Sequence, residues 1–239
     1  IDEILTALIS SDQPDLSPLT RDIIWELRLP RVCAAILVGA ALSASGAALQ
    51  GLFRNPLADP YVLGIASGGA CGAALILWLA GLIGIATSLA PIGAVIGALI
   101  ASFSVYGISM RTRGLSLNTI LLAGVAVGLV FSALLSLVLV LAGEQAGDIL
   151  GWLLGTMSGQ SWSNVTWILV ATVPGLIALL SQSAGLDAFQ IGEDAASGVG
   201  VNLRRVKLIV LGSTMLLVSG AVAFCGLIGF VGLIIPHAV

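Results

Sequence analysis

Residues Leu27–Ile65 carry the clearest structural signal in the chain: LRLPRVCAAILVGAALSASGAALQGLFRNPLADPYVLGI. Two arginines flank a proline at Arg28–Arg31, and the eighteen residues that follow, Val32–Leu49, carry no charge. At 1.5 Å per residue they form about 27 Å of helix, close to the roughly 30 Å hydrocarbon core of a bilayer. The stretch closes on a polar turn, Arg54–Pro60, in which two prolines restrict the backbone. It therefore predicts a membrane-spanning helix that ends in a stiff turn.

The composition extends this prediction to the whole chain. Of the 239 residues, 58% are hydrophobic and only 9% are charged, with a mean hydropathy of +1.13. Soluble domains are nearer 45–50% apolar and about 25% charged, so a water-soluble fold could not bury this much apolar surface. Many of the thirty glycines lie inside apolar runs, as in membrane helices that pack closely. The predicted fold class is all-α, a polytopic bundle of membrane helices.

Six apolar runs are long enough to be spans, and about six to seven spans are predicted in all. A seventh apolar piece, Cys225–Val239, is interrupted by glycines and by Pro236, so it predicts a broken or re-entrant helix. The N-terminal segment, residues 1–26, is polar and acidic, and one short helix is expected near Asp2–Ser10. The six predicted spans are Val32–Gly51, Tyr61–Ala80, Pro91–Met110, Asn118–Ala142, Val165–Ser181 and Leu208–Phe224.

The distribution of arginine and lysine predicts the orientation. The first, third and fifth loops between spans carry Arg54, Arg111, Arg113, Arg204, Arg205 and Lys207, whereas the second and fourth loops carry no basic residue. Positively charged loops remain in the cytoplasm, so the first set is predicted to be cytoplasmic. The N-terminal segment is then predicted to lie on the external side of the membrane, together with Arg28 and Arg31.

Several motifs together resemble one transporter family. "RLPR", "GAALSASGAALQ" and "NPLADPYVLGIASG" follow one another in the order found in the permease subunits of iron-siderophore, haem and vitamin B12 ABC importers, the FecCD-type or type II importers. "GFVGLIIPH" near the end matches the same family. Permeases of this family have roughly ten helices, so the resemblance implies that residues 1–239 form a single transmembrane permease domain truncated at both ends, without the first and last spans.

The resemblance also implies a function. Such a subunit moves a metal chelate from a periplasmic or extracellular binding protein into the cytoplasm of a bacterium or archaeon, as a multi-pass protein of the cell (inner) membrane. The implied partners are a second permease copy, two ATPase subunits, a periplasmic or lipid-anchored binding protein and membrane lipid. Neither a cofactor nor nucleic acid is implied. A secondary transporter or channel without an ATPase is the alternative, and a membrane enzyme is a more distant one.

Absent motifs bear on these alternatives. The chain has no G-x-x-x-x-G-K-[ST] segment and only one lysine, Lys207, so it lacks the phosphate cradle of an ATPase. No charged residue lies in the middle of a predicted span, although coupled secondary transporters usually keep one there. The H-E-x-x-H and G-x-S-x-G motifs are also missing. The sequence therefore predicts a protein that is not itself an enzyme, with ATP hydrolysis in a separate subunit.

Arg28 and Arg31 at the outer end of the first span have two interpretations. Arginines beside a membrane helix often extend toward the interface without any further role. In the resembling permeases, arginines matching "RLPR" pair with carboxylates of the binding protein, and rim pairs of that kind mainly orient docking.

The cytoplasmic end contains two candidate gate segments. An ordinary connector is one interpretation of both. In the resembling permeases the corresponding segments narrow the inner end of the pore, which implies a gate made of Asn55, Pro56, Leu57, Leu117 and Asn118.

The polar segment Leu186–Lys207 is either an amphipathic surface loop or the pair of coupling helices that the resemblance implies. Asp187 is predicted to cap a short helix that Gly198 with Gly200 would end, and residues 192–196 begin a second possible turn of helix. Phe189, Ile191, Val199 and Val201 are the apolar residues expected at the ATPase. The full set of candidate coupling residues is Leu186, Phe189, Ile191, Gly192, Glu193, Gly198, Val199 and Val201.

The long fourth span supplies the candidate pore helix, with Ser132 and Ser136 as pore-lining residues. His237, the only histidine, is interpreted as structural rather than as a metal ligand, and Cys33, Cys71 and Cys225 as small packed residues.

Overall fold

The computed structural model describes residues 18–111, 116–198 and 200–238, and this part of the chain consists of helices and short connections. Three 3₁₀ turns, Pro60–Leu63, Thr87–Leu89 and Gly143–Gln145, link some of them. The α-helices are α1 Pro18–Asp22, α2 Leu29–Phe53, α3 Ile65–Ile83, α4 Ala90–Arg111, α5 Leu117–Ala142, α6 Ala146–Leu153, α7 Trp162–Leu180, α8 Ser183–Ile191, α9 Glu193–Gly198, α10 Leu203–Cys225 and α11 Val231–Ala238.

Six helices of the described residues are long and apolar enough to cross a membrane, and they coincide with the six predicted spans. The all-α membrane bundle is therefore confirmed. Helix α10 is the most buried of the six and packs against α2, α3, α4 and α7. Helix α5 is the least buried and lies at the edge of the bundle. The short helix expected near Asp2–Ser10 lies outside the described residues.

The first span begins earlier than the sequence predicts. The helix is continuous from α1 through a π-helical turn, Ile23–Arg28, into α2, so Pro30 lies inside it rather than before it. Because proline has no N–H to donate, the ladder before it widens, and the N–H of Leu29 donates to the carbonyl of Ile24, five residues back. The π turn thus lets the helix continue past the proline.

Helices α3 and α4 approach each other through glycines. A Cβ on Gly72 would overlap the carbonyl oxygen of Gly93, and one on Gly97 would overlap the carbonyl oxygen of Gly68. The backbones therefore touch along two glycine pairs spaced by four residues, as expected where small residues drive membrane-helix packing. Gly93 and Gly97, four residues apart on α4, thus pack against Gly68 and Gly72 on α3.

The connections gather at two ends, in the alternation that the charges predict. At one end the turn after α2 meets α8 and α9, where Nη1 of Arg54 lies 3.3 Å from the position of a Cβ on Gly192. At the other end the Gln145 side chain, in the fourth loop, packs on Gly81 in the last turn of α3. The positive-inside rule identifies the first of these as the cytoplasmic end.

The chain reverses direction after α10. The loop before α7 caps the outer end of α10, since the N–H of Thr156 donates to the carbonyl of Cys225 and Nε2 of Gln160 donates to that of Phe224, both within 2.9 Å. Residues 226–230 are not helical, and α11 then runs back along α2 until Pro236 lies beside Gln190 at the cytoplasmic end. The predicted break in this helix is confirmed.

We expect Gly72→Ala to lower the free energy of unfolding by about 1–3 kcal/mol, because the added Cβ forces α3 away from the carbonyl of Gly93. Gly107→Ala on α4 is the matched control, since nothing lies within 4 Å of its added Cβ. Thermal unfolding of the full-length protein in detergent measures both, and equal shifts for the two variants would contradict the backbone contact.

Candidate gate and coupling site

The turn after α2 is built around an arginine in an unusual conformation. Arg54 adopts the left-handed region, with φ 49° and ψ 41°. The N–H of Asn55 donates to the carbonyl of Gln50 at 3.1 Å, and that of Arg54 to Gly51 at 3.3 Å, which is the Schellman helix ending. Glycine usually holds this position, and another L residue there costs roughly 1–2 kcal/mol. The surrounding hydrogen bonds keep Arg54 in place.

The rest of the turn is held by its own side chains. Oδ1 of Asn55 accepts from the N–H of Leu57 at 2.9 Å. Oδ1 of Asp59 accepts from the N–H of Tyr61 at 2.7 Å, which caps the short 3₁₀ helix. With Pro56 and Pro60 fixing φ at two further positions, little backbone freedom remains. The stiffness that the sequence predicts thus has a hydrogen-bond basis.

Tyr61 ties this turn to the break before α11. Its hydroxyl donates to the carbonyl of Ile228 at 2.8 Å and accepts from the N–H of the same residue at 3.1 Å. Burial raises the pKa of Tyr61, which precedes the second span, to about 12. The hydroxyl therefore stays protonated at neutral pH and keeps both bonds to the non-helical segment.

Gln50 compensates for a proline in α11. Pro236 has no N–H, so the carbonyl of Gly232, four residues earlier, loses its helical donor. Nε2 of Gln50 donates to that carbonyl at 3.4 Å and to the carbonyl of Leu233 at 3.1 Å. A Cβ on Gly46 would overlap the carbonyl of Gly232, so glycine at position 46 lets the two helices come close enough.

The segment predicted to couple to an ATPase forms a helical hairpin, α8 and α9 joined at Gly192. Gly192 has φ 123° and ψ 153°, a region that other residues avoid, so the reversal depends on glycine. The prediction that Asp187 caps a helix is wrong, because α8 begins at Ser183 and Asp187 lies within it. The N–H of Val201 donates to the carbonyl of Ala196 and that of Gly200 to Ser197, so α9 ends in a Schellman motif with Gly200 at φ 84°.

The hairpin is anchored to the first turns of α10 by a buried charge. Nζ of Lys207 lies 2.7 Å from Oε2 of Glu193 and 5.9 Å from the centroid of the Phe189 ring. Phe189 is fully buried, so it faces the interior of this chain and does not offer its ring to an ATPase surface. The expected position of Phe189 is therefore corrected, because its ring packs beneath the hairpin instead of facing outward.

One cavity of about 400 Å³ connects the two gate segments with the hairpin. Its walls include Arg54, Leu117 and Asn118 together with Phe189 and Glu193. A neighbouring cavity of about 380 Å³ is lined by Arg54, Asn55 and Pro56 with Gln50, Gln190 and Pro236. Four segments that are far apart in the sequence, around residues 54, 117, 190 and 236, thus meet at Arg54.

The remaining candidates at this end differ in exposure. Leu57 and Ile191 are 74% and 76% exposed, which leaves both free to contact another subunit. Leu186 and Val201 are half-buried against the core, and Gly198 is exposed at the end of α9. Val199 lies outside the described residues.

Arg28 and Arg31 lie exposed at the opposite end. Nη2 of Arg31 donates to Oγ of Ser158 at 2.6 Å, and Nε1 of Trp162 donates to the carbonyl of Trp25 at 2.9 Å. The loop before α7 therefore supports the helix that carries both arginines, and its contribution is not visible in the sequence.

Ser132 and Ser136 lie on the exposed face of α5. Oγ of Ser136 donates to the carbonyl of Ser132 at 2.9 Å, so its proton is used within the helix and the face is less polar than its composition suggests.

Three residues of this site were not among the sequence candidates: Gln50, Arg54 and Lys207. Each had a signal. Gln50 is a polar residue at the end of an apolar run, Arg54 occupies the position after a helix where glycine is usual, and Lys207 is the only lysine, next to an apolar span. His237 lies exposed on α11.

We expect Gln50→Leu to destabilise the protein by about 1–3 kcal/mol, because the partly buried carbonyl of Gly232 loses its donor. Gln190→Leu, an exposed residue of the same cavity, should change stability by less than about 0.5 kcal/mol. Thermal unfolding in detergent compares them, and a control as damaging as Gln50→Leu would remove the specific role of this amide.

Comparisons with known proteins agree with this arrangement. The chain is 40% identical over 217 residues to the cobalamin import permease BtuC of Halobacterium salinarum, covering 91% of this chain and 58% of the relative. It is 41% identical over 222 residues to the uncharacterised ABC transporter permease YvrB of Bacillus subtilis, covering 92% and 63%. For the vitamin B12 import permease BtuC of Salmonella paratyphi A the identity is 38% over 217 residues, covering 90% and 65%. The chain thus spans about three fifths of the length of these relatives.

A solved structure, described as an inward-facing candidate metal-chelate type ABC transporter, superposes with a TM-score of 0.86 at 31% identity. The match covers 98% of this chain and 77% of that one. The six apolar helices and these relatives make the protein a multi-pass protein of the cell (inner) membrane. The FecCD transport family model matches residues 1–239, and the chain belongs to that family.

Proposed function

We propose that this chain is part of the permease subunit of an ABC importer that moves a metal chelate into the cytoplasm. The observation that carries the proposal is the cavity of about 400 Å³ at the cytoplasmic end, whose walls combine Arg54, Leu117 and Asn118 of the gate segments with Phe189 and Glu193 of the hairpin α8–α9. The relatives that carry a substrate in their names are cobalamin or vitamin B12 import permeases, so cobalamin is the first chelate to test.

The hairpin is the segment that receives the motion of the ATPase. Ile191 and Gly198 are exposed at the cytoplasmic end, whereas Phe189 and Ala196 are buried beneath them. A displacement of the exposed surface by the ATPase would therefore reach the walls of the gate cavity through a packed interior. Close-packed interiors have low compressibility and transmit such strain. ATP hydrolysis itself takes place in the separate ATPase subunits, two of which bind one permease dimer.

Asn55, Pro56, Leu57, Leu117 and Asn118 form the gate. The stiff turn at residues 54–60 presents Leu57 as an exposed apolar side chain, and Asn118 lines the cavity at the start of α5. An opening of the hairpin away from the turn would widen this cavity without unfolding the turn, because the turn holds its own hydrogen bonds. The gate thus moves as rigid pieces.

Arg28 and Arg31 form the docking site for a periplasmic or lipid-anchored binding protein. Both are exposed at the end opposite the gate, and the bond from Arg31 to Ser158 fixes the orientation of one of them. Exposed charges at a rim mainly steer and orient a partner, so they suit a protein that delivers its cargo and then leaves.

The permease acts as a homodimer with the substrate path between the two copies. Helix α5 supports this arrangement, because its long apolar face, with Ser132 and Ser136, has no partner among the described residues. An apolar face of weak polarity suits a large chelate, since the path does not need to bind the cargo tightly.

The test is reconstitution of the full-length permease with its ATPase and binding protein in liposomes. We expect ATP-dependent uptake of labelled cyanocobalamin, with a ferric hydroxamate and haemin as the other chelates tested. Arg28→Glu should weaken binding-protein docking by about tenfold without loss of ATPase attachment. Uptake that persists without the ATPase would favour a secondary transporter or channel instead.

The dimer is tested by cross-linking. We expect Ser136→Cys on the exposed face of α5 to form a disulfide between two full-length subunits in membranes after mild oxidation. Ser45→Cys on α2 is the matched control, because Ser45 is fully buried within one subunit and should remain reduced. If cysteines along α5 never join two subunits, this helix does not lie at the dimer axis.

A further inference from the structure

Lys207 connects both helices of the hairpin α8–α9 to α10, the most buried span of the bundle. Its side chain is 7% exposed, and its ammonium contacts Glu193 on α9 and the Phe189 ring on α8. These two residues lie on either side of Gly192, where the hairpin reverses. One positive charge at the base of α10 therefore holds both arms of the hairpin.

The pair is unequal in its access to water. Lys207 is 7% exposed, but Glu193 is 40% exposed. Burying an ammonium costs several kcal/mol before any partner contributes, and removing the partner leaves that cost uncompensated. An ion pair of this kind adds little net stability compared with apolar residues of the same size, so its geometry matters more than its strength.

A second cation lies close to the hairpin at Gly192. Nη1 of Arg54 lies 3.3 Å from the position that a Cβ on Gly192 would occupy. The hairpin thus lies next to both the stiff turn after α2 and the first turns of α10. Helix α8 also packs against α2, whereas α9 meets α10 through the Lys207–Glu193 ion pair, so this pair connects the second arm of the hairpin to the bundle.

We propose that the Lys207–Glu193 ion pair is the strut that passes movement of the coupling hairpin to α10, with Lys207 as a positioning residue. Helix α10 packs against four other spans and leads directly to the break at residues 226–230. On this proposal, which rests on the proposed function, Glu193 acts inside the chain rather than at the ATPase surface.

Three variants of the full-length permease test the strut: Glu193→Gln, Lys207→Met and the two combined. Glutamine keeps the shape of Glu193, and methionine keeps most of the length of Lys207 without its charge. Asp194→Asn is the matched control, because Asp194 is an exposed acid on the same helix that makes no ion pair among the described residues. Uptake of labelled cyanocobalamin, a ferric hydroxamate and haemin, ATP hydrolysis and thermal unfolding are measured for each in the reconstituted complex.

Stability and coupling should separate in these variants. Glu193→Gln should lower the unfolding temperature more than Lys207→Met, because it leaves the buried ammonium without the negative charge of Glu193. The double variant should regain most of that stability, since the buried charge is gone. All three variants should hydrolyse at least about five times as much ATP per imported chelate as the wild type, because each lacks the ion pair. Asp194→Asn should match the wild type.

Two results would overturn the strut. A double variant that regains normal ATP use together with its stability would show that the pair only stabilises the fold. An Asp194→Asn variant as uncoupled as Glu193→Gln would show that acids of α9 act at the ATPase surface. A wild-type complex that imports none of the three chelates would overturn the proposed function as well, and it would do so before any variant is compared.

Discussion

The absence of an N–H on Pro236 is the constraint on which much of this structure depends. Inside a membrane an unpaired carbonyl costs several kcal/mol, so the carbonyl of Gly232 requires a donor from elsewhere. Gln50 provides it, and Gly46 allows the backbone of α11 to come within reach. These contacts hold α11 along the C-terminal half of α2. They also fix the end of α2 and the turn that begins at Arg54. The turn of the candidate gate thus takes its position from hydrogen bonds between two helices.

The same logic explains the charges at the cytoplasmic end. A chain with so few ionisable residues keeps one lysine almost completely buried, and it satisfies that lysine with a carboxylate and an aromatic face from the hairpin. Arg54 accepts a left-handed backbone and lies against Gly192, the one residue of the hairpin with a glycine-only conformation. The polar groups at this end therefore join elements, whereas the apolar faces only fill space between them.

Much of the fold followed from the sequence, and each error has its own physical cause. The six spans and the break before α11 were predicted correctly because hydropathy and glycine or proline content are local properties. The start of the first span was misplaced because a π turn lets the helix continue through Pro30. Asp187 was assigned a capping role because the pattern suits one, although α8 had already begun. Phe189 was expected at the surface because an amphipathic loop does not reveal which apolar residue faces inward.

The sequence by itself determined the class of the protein, the number of its spans in this region and the alternation of its loops. These depend on how each segment partitions between water and lipid, and that free energy is nearly additive along the chain. The tertiary structure decided which residues form the candidate site: the partnership of Lys207 with Glu193, of Gln50 with Gly232 and of Tyr61 with Ile228. Two of these pairs join residues more than 150 positions apart, and the third spans 14. Such contacts arise from the packing of whole helices, and no local pattern of residue types encodes them.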